Sequence, residues 1–401
     1  MRVLVSGASI AGPVLAYWLA RYGFTVTVVE KASTLRKAGG HAVDLFKPSM
    51  TISEQMGVLP RILKAATGTE QLIVHTRRRS VRMNVTKLVS AASDRHVEIM
   101  RDDLSEIYYD ATEDDVEYLF GNAITEISED GRVGFENGPA REFDLVIGAD
   151  GLRSNVRRLI FGEVPEHYLG GYFAVISAPR ELAEANKFVS YLDAGRWIGI
   201  YTAAHLPDAR LTFLFRTDQP LDYDHRDLAR QKELLRKAFA GFAPQVDRWL
   251  TELDHTPTFY FDSITQLRVD SWSRGRVTLV GDAAYCPGPV VGGSTSLAVL
   301  GAYTLAGELA AADGDHTIAF PAYEAAMADA VRGSRAFALR AAKTLVPASA
   351  TGVWALTQSI RLFNILPAGL SRAVAELNTT GVRMLDSMTV PDYSTRIPAD
   401  E

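Results

Sequence analysis

The sequence predicts a mixed α/β chain: a Rossmann-like nucleotide-binding layer built from separated segments, an inserted antiparallel sheet, and helices at the C-terminal end. Three observations predict it. A glycine-bearing strand–turn–helix–strand unit opens the chain. Two further apolar strands, far along the sequence, each end in an aspartate beside a glycine. Between and after them lie short alternating strands rich in aromatic and β-branched residues.

The opening unit begins with the apolar run Val3-Leu4-Val5, followed at once by Gly7-Ala8-Ser9-Ile10-Ala11-Gly12. Ala11 to Tyr22 reads as a helix, because Val14, Leu15, Trp18 and Leu19 recur at helical spacing. Pro13 sits in its first turn, where a missing N–H does no harm, and Gly23 stops it. Thr25-Val26-Thr27-Val28-Val29 reads as a buried parallel strand ending in Glu30. Each part has a role in dinucleotide binding. Gly7 makes the tight turn, the middle position lets backbone approach a pyrophosphate, and Gly12 lets helix and strand pack closely. The helix N-terminus offers N–H groups to phosphates, and Glu30 accepts hydrogen bonds from ribose hydroxyls. Ser9 stands where the motif has its middle glycine; it is small, and its hydroxyl can donate to a phosphate. Ile10 and Ala11 complete the candidate loop. The ordinary alternative is a plain βαβ packing turn.

The second segment is Phe143 to Gly151, an apolar strand ending in Asp150-Gly151, followed by Leu152-Arg153-Ser154-Asn155-Val156-Arg157 with Ser154 as a helix N-cap. The third is Arg276 to Ala284, where a buried strand delivers Asp282. Pro287, Gly288 and Pro289 shape a loop, Gly292-Gly293-Ser294 follow, and an alanine-rich helix is expected from about Thr295 to Ala312. Asp150 and Asp282 have a plain alternative as helix caps or turn residues.

These two stretches, GADGLRSNVR and GDAAYCPGPVVGGSTSLAVLGAYTLAGEL, resemble the interior motifs of the aromatic-hydroxylase branch of flavoprotein monooxygenases. That branch includes para-hydroxybenzoate hydroxylase, the polyketide hydroxylases and the tetracycline-inactivating monooxygenases. The resemblance implies a Rossmann-like FAD-binding domain, with Asp282 on the FAD ribityl chain and Glu30 on the adenosine ribose. It assigns Asp150 and Gly151 to FAD and the nicotinamide cofactor. It also implies FAD contacts for Arg101, which heads Asp102-Asp103-Leu104, and for Asp44, and a nicotinamide-cofactor contact for Arg36. The loop of Pro289, Gly292, Gly293 and Ser294 is expected beside the flavin ring. Lys31, next to Glu30, joins the candidates, although it and Lys47 read more simply as solvated. The chain departs from the family pattern at Tyr285 (usually His), Ser294 (Gly), Ser296 (Asn) and Gly301 (Asp). A serine at 294 tolerates poorly the backbone that a glycine there allows.

The inserted layer is read from Leu72–His75, Val81–Val85, Tyr172–Ser177, Phe188–Leu192, Ile198–Thr202, Leu211–Arg216 and Thr258–Phe261. Residues 1–71, 97–170 and 268–330 are assigned to the cofactor domain. Residues 72–96 and 171–267 form the substrate-binding sheet, and 331–401 a helical region bridging the two. Arg226–Gly241 and Pro244–Leu253 read as helices.

Composition narrows the function. With 42 Lys+Arg against 48 Asp+Glu the net charge is −6, and the densest basic run is Arg77-Arg78-Arg79. Nucleic acid is therefore not an expected partner. The lone Cys286 cannot form an intrachain disulfide, and without a His or Asn partner pattern it reads as a loop thiol. The eight scattered histidines offer no metal site. Val3–Ala20 and Thr344–Ile360 are uncharged, but Gly7, Gly12 and Pro13 interrupt the first, and Pro347 and Gly352 the second. No transmembrane segment is expected, and a cytoplasmic monomer or dimer follows.

The resemblance implies hydroxylation of, or oxygen insertion into, a small aromatic or polyketide-like molecule, using molecular oxygen and NADPH or NADH. Antibiotic tailoring or inactivation, such as of tetracyclines, is a natural role. With a single dinucleotide fingerprint, the nicotinamide cofactor is expected to bind transiently. No catalytic side chain is assigned, because the chemistry belongs to the flavin. Two alternatives stay open: a flavin reductase or dehydrogenase without productive oxygen transfer, and a flavin- or ligand-binding protein without turnover. A halogenase is disfavoured, since Arg196-Trp197-Ile198-Gly199-Ile200 does not match the Trp-x-Trp-x-Ile pattern.

Overall fold

The computed structural model describes residues 1–35, 39–85, 93, 95–290, 293–365 and 380–396. Its first layer is a six-stranded sheet in the order Ser273–Arg274, Val277–Leu279, Leu145–Gly148, Arg2–Ser6, Thr25–Glu30, Glu117–Phe120. Every pairing is parallel except the first. Strands distant in sequence become neighbours: Val3 pairs with Leu145 and with Val26, and Val146 with Val277. The central strands are apolar on both faces and buried, as a doubly covered parallel sheet requires.

The second layer is a seven-stranded sheet in the order Phe259–Leu267, Glu166–Pro179, Asp208–Arg216, Arg196–Tyr201, Lys187–Asp193, Gln71–His75, Ser80–Asn84. All seven predicted strands are present. The sheet is not wholly antiparallel: Lys187–Asp193 runs parallel to Gln71–His75. The reason is connectivity, since the Gln71–Asn84 hairpin arrives from the cofactor layer and adds to an edge. The Arg77–Arg79 run is the turn of that hairpin, with Thr76 N–H donating to Arg79 O at 2.8 Å. Alternation gives the sheet two faces. Tyr172, Ala174 and Ile176 pack under the helices Leu228–Phe239 and Pro244–Leu250, while Phe173 and Val175 face the other way.

The helix Ala11–Arg21 packs beside the helix Ser294–Ala311 over the parallel sheet. The helix His316–Thr344 is about 43 Å long at 1.5 Å per residue. Its first half contributes Phe320, Tyr323, Met327 and Val331 to the core under the parallel sheet. Its last turns place Ala338 against Phe173, Val175 and Leu214 of the second sheet. One helix thus contacts both layers. The uncharged stretch after Pro347 is the helix Ala350–Ile365, packed through Val353 on Val74 and Val81. Among the described residues no helix is long and apolar enough to cross a membrane.

Candidate cofactor site at the strand ends

The site is built where the carboxyl ends of the parallel strands meet, and backbone contacts bring its three segments together. Gly7 has φ +107°, and a Cβ there would lie 2.6 Å from Ala149 O. Only glycine lets the first turn press against the second segment. A Cβ on Gly12 would lie 1.9 Å from Gly7 O, so the first helix can start this close to its strand only without a side chain. Gly281, at φ +66°, lies between Ala11 and Ala298: a Cβ on it would be 3.4 Å from the Cβ of each. The first and third segments therefore touch at this residue. Arg157 ties the second to the third: buried, it donates to Leu152 O at 2.6 Å and to Ala283 O at 2.9 Å.

Glu30 caps this arrangement from the second strand. Its carboxylate accepts from Ala8 N–H in the glycine loop and from Ala32 N–H, both at 2.9 Å. Ile10, at the head of the first helix, provides no side-chain cap, and neither does Gly293 at the head of the helix Ser294–Ala311. Both helix starts thus leave backbone N–H groups without a side-chain acceptor, as an anion site needs. The Ser9 hydroxyl is held in place: it shares a 3.2 Å hydrogen bond with Ser105 Oγ and accepts from Arg101 Nη2 at 3.2 Å. The missing middle glycine is thereby explained, since a serine fits where a helix-borne arginine and serine meet it.

Arg101 opens the helix Arg101–Asp110 and donates its own N–H to His41 O at 3.0 Å. Its charge acts on Asp282, His41 and Tyr260. Burial raises the pKa of Asp282, opposed by Arg101 and by a hydrogen bond from Cys286. Burial, with Arg101 adding, lowers His41 to about 3, so a neutral imidazole sits edge-on to Phe173 at 5.1 Å. Burial pushes the Cys286 thiol well up, which suits a packed loop thiol and not a nucleophile.

Asp150 takes its plain reading as well as its place at the site. Its carboxylate accepts from Ser154 Oγ at 2.5 Å, Asn155 N–H at 2.8 Å and Val156 N–H at 3.1 Å, capping the helix Asn155–Phe161. Ser154 is the N-cap, accepting from Arg157 N–H at 2.9 Å. Gly151 follows with φ +78°. Arg153 then reaches the second sheet, pairing with Glu166 at 2.9 Å and Asp262 at 2.7 Å.

Other candidates lie apart or outside. Asp44 is exposed and pairs with His96 Nε2 at 2.6 Å on the ribbon of Ala42–Phe46 and His96–Met100. Lys31 is exposed. Arg36 and Gly292 lie outside the described residues. Pro289 sits between Gly288 and Val290, and Val290 carries the left-handed backbone (φ +69°). Gly293 takes the second left-handed position, φ +66°, so Ser294 is simply the first helical residue. The serine therefore carries no backbone strain, contrary to the expectation from glycine at that place. The other departures are compensated too. Ser296 accepts from Phe46 N–H at 3.3 Å and shares a 3.1 Å bond with Ser49 Oγ. Tyr285 and Gly301 are a pair: a Cβ on Gly301 would lie 1.9 Å from the Tyr285 hydroxyl.

Sequence reasoning missed several residues that join the two layers. Arg210, buried in the second sheet, donates to Gly40 O at 3.0 Å, and Tyr201 OH accepts from Ala42 N–H at 2.7 Å. Asp102 accepts from Gly40 N–H at 2.7 Å. The segment 39–42 is thus clamped onto the sheet face bearing Phe173. Arg153 and Arg157 belong to the GADGLRSNVR stretch, whose pattern is their signal; Arg210 and Tyr201 carry no local signal. Among the described residues no His, Cys, Asp and Glu group could hold a metal ion.

Residues 1–317 match the protein family described as FAD binding domain. An uncharacterized protein of Mycobacterium tuberculosis (strain H37Rv) is 40% identical over 331 residues, covering 80% of this chain and 88% of its own. A flavin-dependent monooxygenase of Legionella longbeachae is 35% identical over 343 residues, covering 84% and 87%. The crystal structure of tetracycline destructase Tet(51) superposes with a TM-score of 0.82 at 30% identity, over 98% of this chain and 99% of that one. With its glycine cradle, acidic strand end and two uncapped helix starts, this chain belongs to the FAD binding domain family, within the flavin-dependent monooxygenases.

Proposed function

We propose that this chain uses NADPH or NADH, molecular oxygen and bound FAD to insert one oxygen atom into a small aromatic or polyketide-like molecule, a tetracycline-type antibiotic included. The observation that carries the reading is the meeting of three strand-end motifs beneath an apolar sheet face bearing Phe173 and Tyr260. Bound flavin supplies the passage of reducing equivalents to oxygen and the oxygen transfer.

The chain's own residues do the rest. The turn from Gly7 to Gly12 offers N–H groups to the pyrophosphate. Glu30, which already holds the glycine loop through Ala8 N–H, would accept from ribose hydroxyls, and Asp282, near the Arg101 charge, from the ribityl chain. The N-terminus of the helix Ser294–Ala311, uncapped by a side chain, would offer its partial positive charge to an anionic flavin ring. Asp150 and Gly151 shape the second segment, and Arg153 holds it to the substrate sheet. Phe173, Tyr260 and neutral His41 form a largely aromatic wall, which would help to exclude water from the reaction. The similarity to Tet(51) supports a polycyclic substrate.

The test is oxygen consumption and product mass on FAD-loaded protein. The panel comprises simple phenols, aromatic polyketides and tetracyclines, each with NADPH and with NADH. The expected result is oxygen uptake that depends on one substrate class, with a product one oxygen atom heavier. Consumption of reductant with every ligand, all oxygen returning as hydrogen peroxide and no oxygenated product, would establish the reductase reading instead.

A further inference from the structure

Away from the cofactor cleft, the helix His316–Thr344 and the segment after the strand Phe259–Leu267 enclose a groove of about 470 Å³. Its walls are mixed. Trp272, Val269, Val331 and Leu339 are apolar, while Arg268 and Arg335 are cationic.

Arg335 is unusual. Its Nε and Nη2 are shielded from solvent and have no hydrogen-bond partner. The side chain as a whole is half-buried, and a partly desolvated guanidinium with no ion-pair partner is unfavourable. Arg268 stands next to it and makes matters worse: burial lowers the pKa of Arg335, and the Arg268 charge lowers it further. Arg268 itself donates through Nε to Gln266 Oε1 at 3.0 Å and is otherwise exposed. Two acids, Glu324 and Asp270, also line the groove, and among the described residues neither is ion-paired with Arg268 or Arg335. Glu324 Oε1 accepts from Trp272 N–H at 2.8 Å and Ser271 Oγ at 3.1 Å. Asp270 is exposed, and Arg332 already pairs with Asp329. The two neighbouring guanidiniums are thus left without a carboxylate partner among the described residues.

We propose that this groove binds a small organic anion, its carboxylate or phosphate facing Arg268 and Arg335 and its apolar part against Trp272, Val331 and Leu339. The site is separate from the cofactor cleft yet wired to it. Gln266, which holds Arg268, donates through Nε2 to Arg335 O at 3.2 Å and to Pro287 O at 3.0 Å. Pro287 belongs to the loop that leads into the helix Ser294–Ala311. An anion that fixes the two arginines therefore also fixes Gln266 and the loop.

Calorimetric titration of FAD-loaded protein with 1-naphthoate, its neutral amide and inorganic phosphate tests this. Naphthoate should bind at least tenfold more tightly than the amide and than phosphate. Arg335→Gln and Arg268→Gln should each weaken naphthoate at least tenfold, while Arg340→Gln, exposed on the same helix and outside the groove, should not. Arg335→Gln removes a half-buried cation without an ion-pair partner, so its melting temperature without ligand should equal or exceed that of the wild type, which confirms folding. Equal affinity for acid and amide overturns the proposal. So does phosphate binding as tight as naphthoate, or naphthoate binding unchanged in both arginine variants, which would place it in the cofactor-side cleft.

Discussion

Gly301→Ala is the sharpest test of how this core was assembled. Gly301 lies in the interior of the helix Ser294–Ala311, where alanine is ordinarily better by about 1 kcal/mol. Here the added methyl would lie 1.9 Å from the Tyr285 hydroxyl and 3.4 Å from Met327 Cε. The tyrosine cannot swing away. Its ring packs on Trp272 at 4.6 Å, its hydroxyl accepts from Tyr323 OH at 3.2 Å, and it is fully buried. Overpacking of this kind costs about 3 kcal/mol, leaving a net loss of about 2 kcal/mol after the helix gain. At roughly 2 °C per kcal/mol for a domain of this size, Gly301→Ala should melt about 4 °C lower. Tyr285→Phe alone removes one modest hydrogen bond, about 1 kcal/mol. The double variant should recover most of the loss, because phenylalanine leaves room for the methyl, giving a coupling of about 2 kcal/mol. Thermal melts of the four apoproteins, with FAD retention measured alongside, decide it. If Gly301→Ala is as stable as wild type, or the two changes simply add, the steric account is wrong.

Three further outcomes follow from the structure. Glu30→Ala should weaken FAD by about 10- to 100-fold, since hydrogen bonds to a charged acceptor contribute about 1.5–3 kcal/mol; flavin fluorescence titration measures it. Arg157→Met leaves Leu152 O and Ala283 O unpaired in the core and should cost about 3 kcal/mol, seen as a lower urea midpoint and faster FAD loss. The His96–Asp44 pair should stabilise the fold on the acid side. Burial pushes His96 down, but the Asp44 hydrogen bond and charge outweigh it and its pKa is raised. A raised folded pKa means stabilisation that is complete below the ordinary value of 6.5 and fades as pH climbs through the folded value. The melting-temperature gap between wild type and His96→Gln should therefore be larger at pH 6 than at pH 8.5, and an unchanged gap would contradict the pairing.

What local pattern determines was legible in the sequence. Dinucleotide turns, strand-ending aspartates and period-two alternation are short-range consequences of backbone geometry, so Gly7, Gly12, Glu30, Asp282 and all seven strands of the second sheet could be read directly. The helical character of the C-terminal part was legible for the same reason: long runs of helical periodicity identify a helix wherever it packs. What the sequence could not determine depends on pairs distant along the chain. The single parallel pairing of Lys187–Asp193 with Gln71–His75, the clamp of Arg210 on Gly40, and the bridge from Arg157 to Ala283 leave no local trace. The departures from family pattern show this best. Ser294 looked like strain until Gly293 was found to take the left-handed turn, and Tyr285 and Gly301 looked like two anomalies until the hydroxyl was seen to occupy the space a side chain at 301 would need. Sterics act between neighbours in space, and only the tertiary structure decides which residues those are.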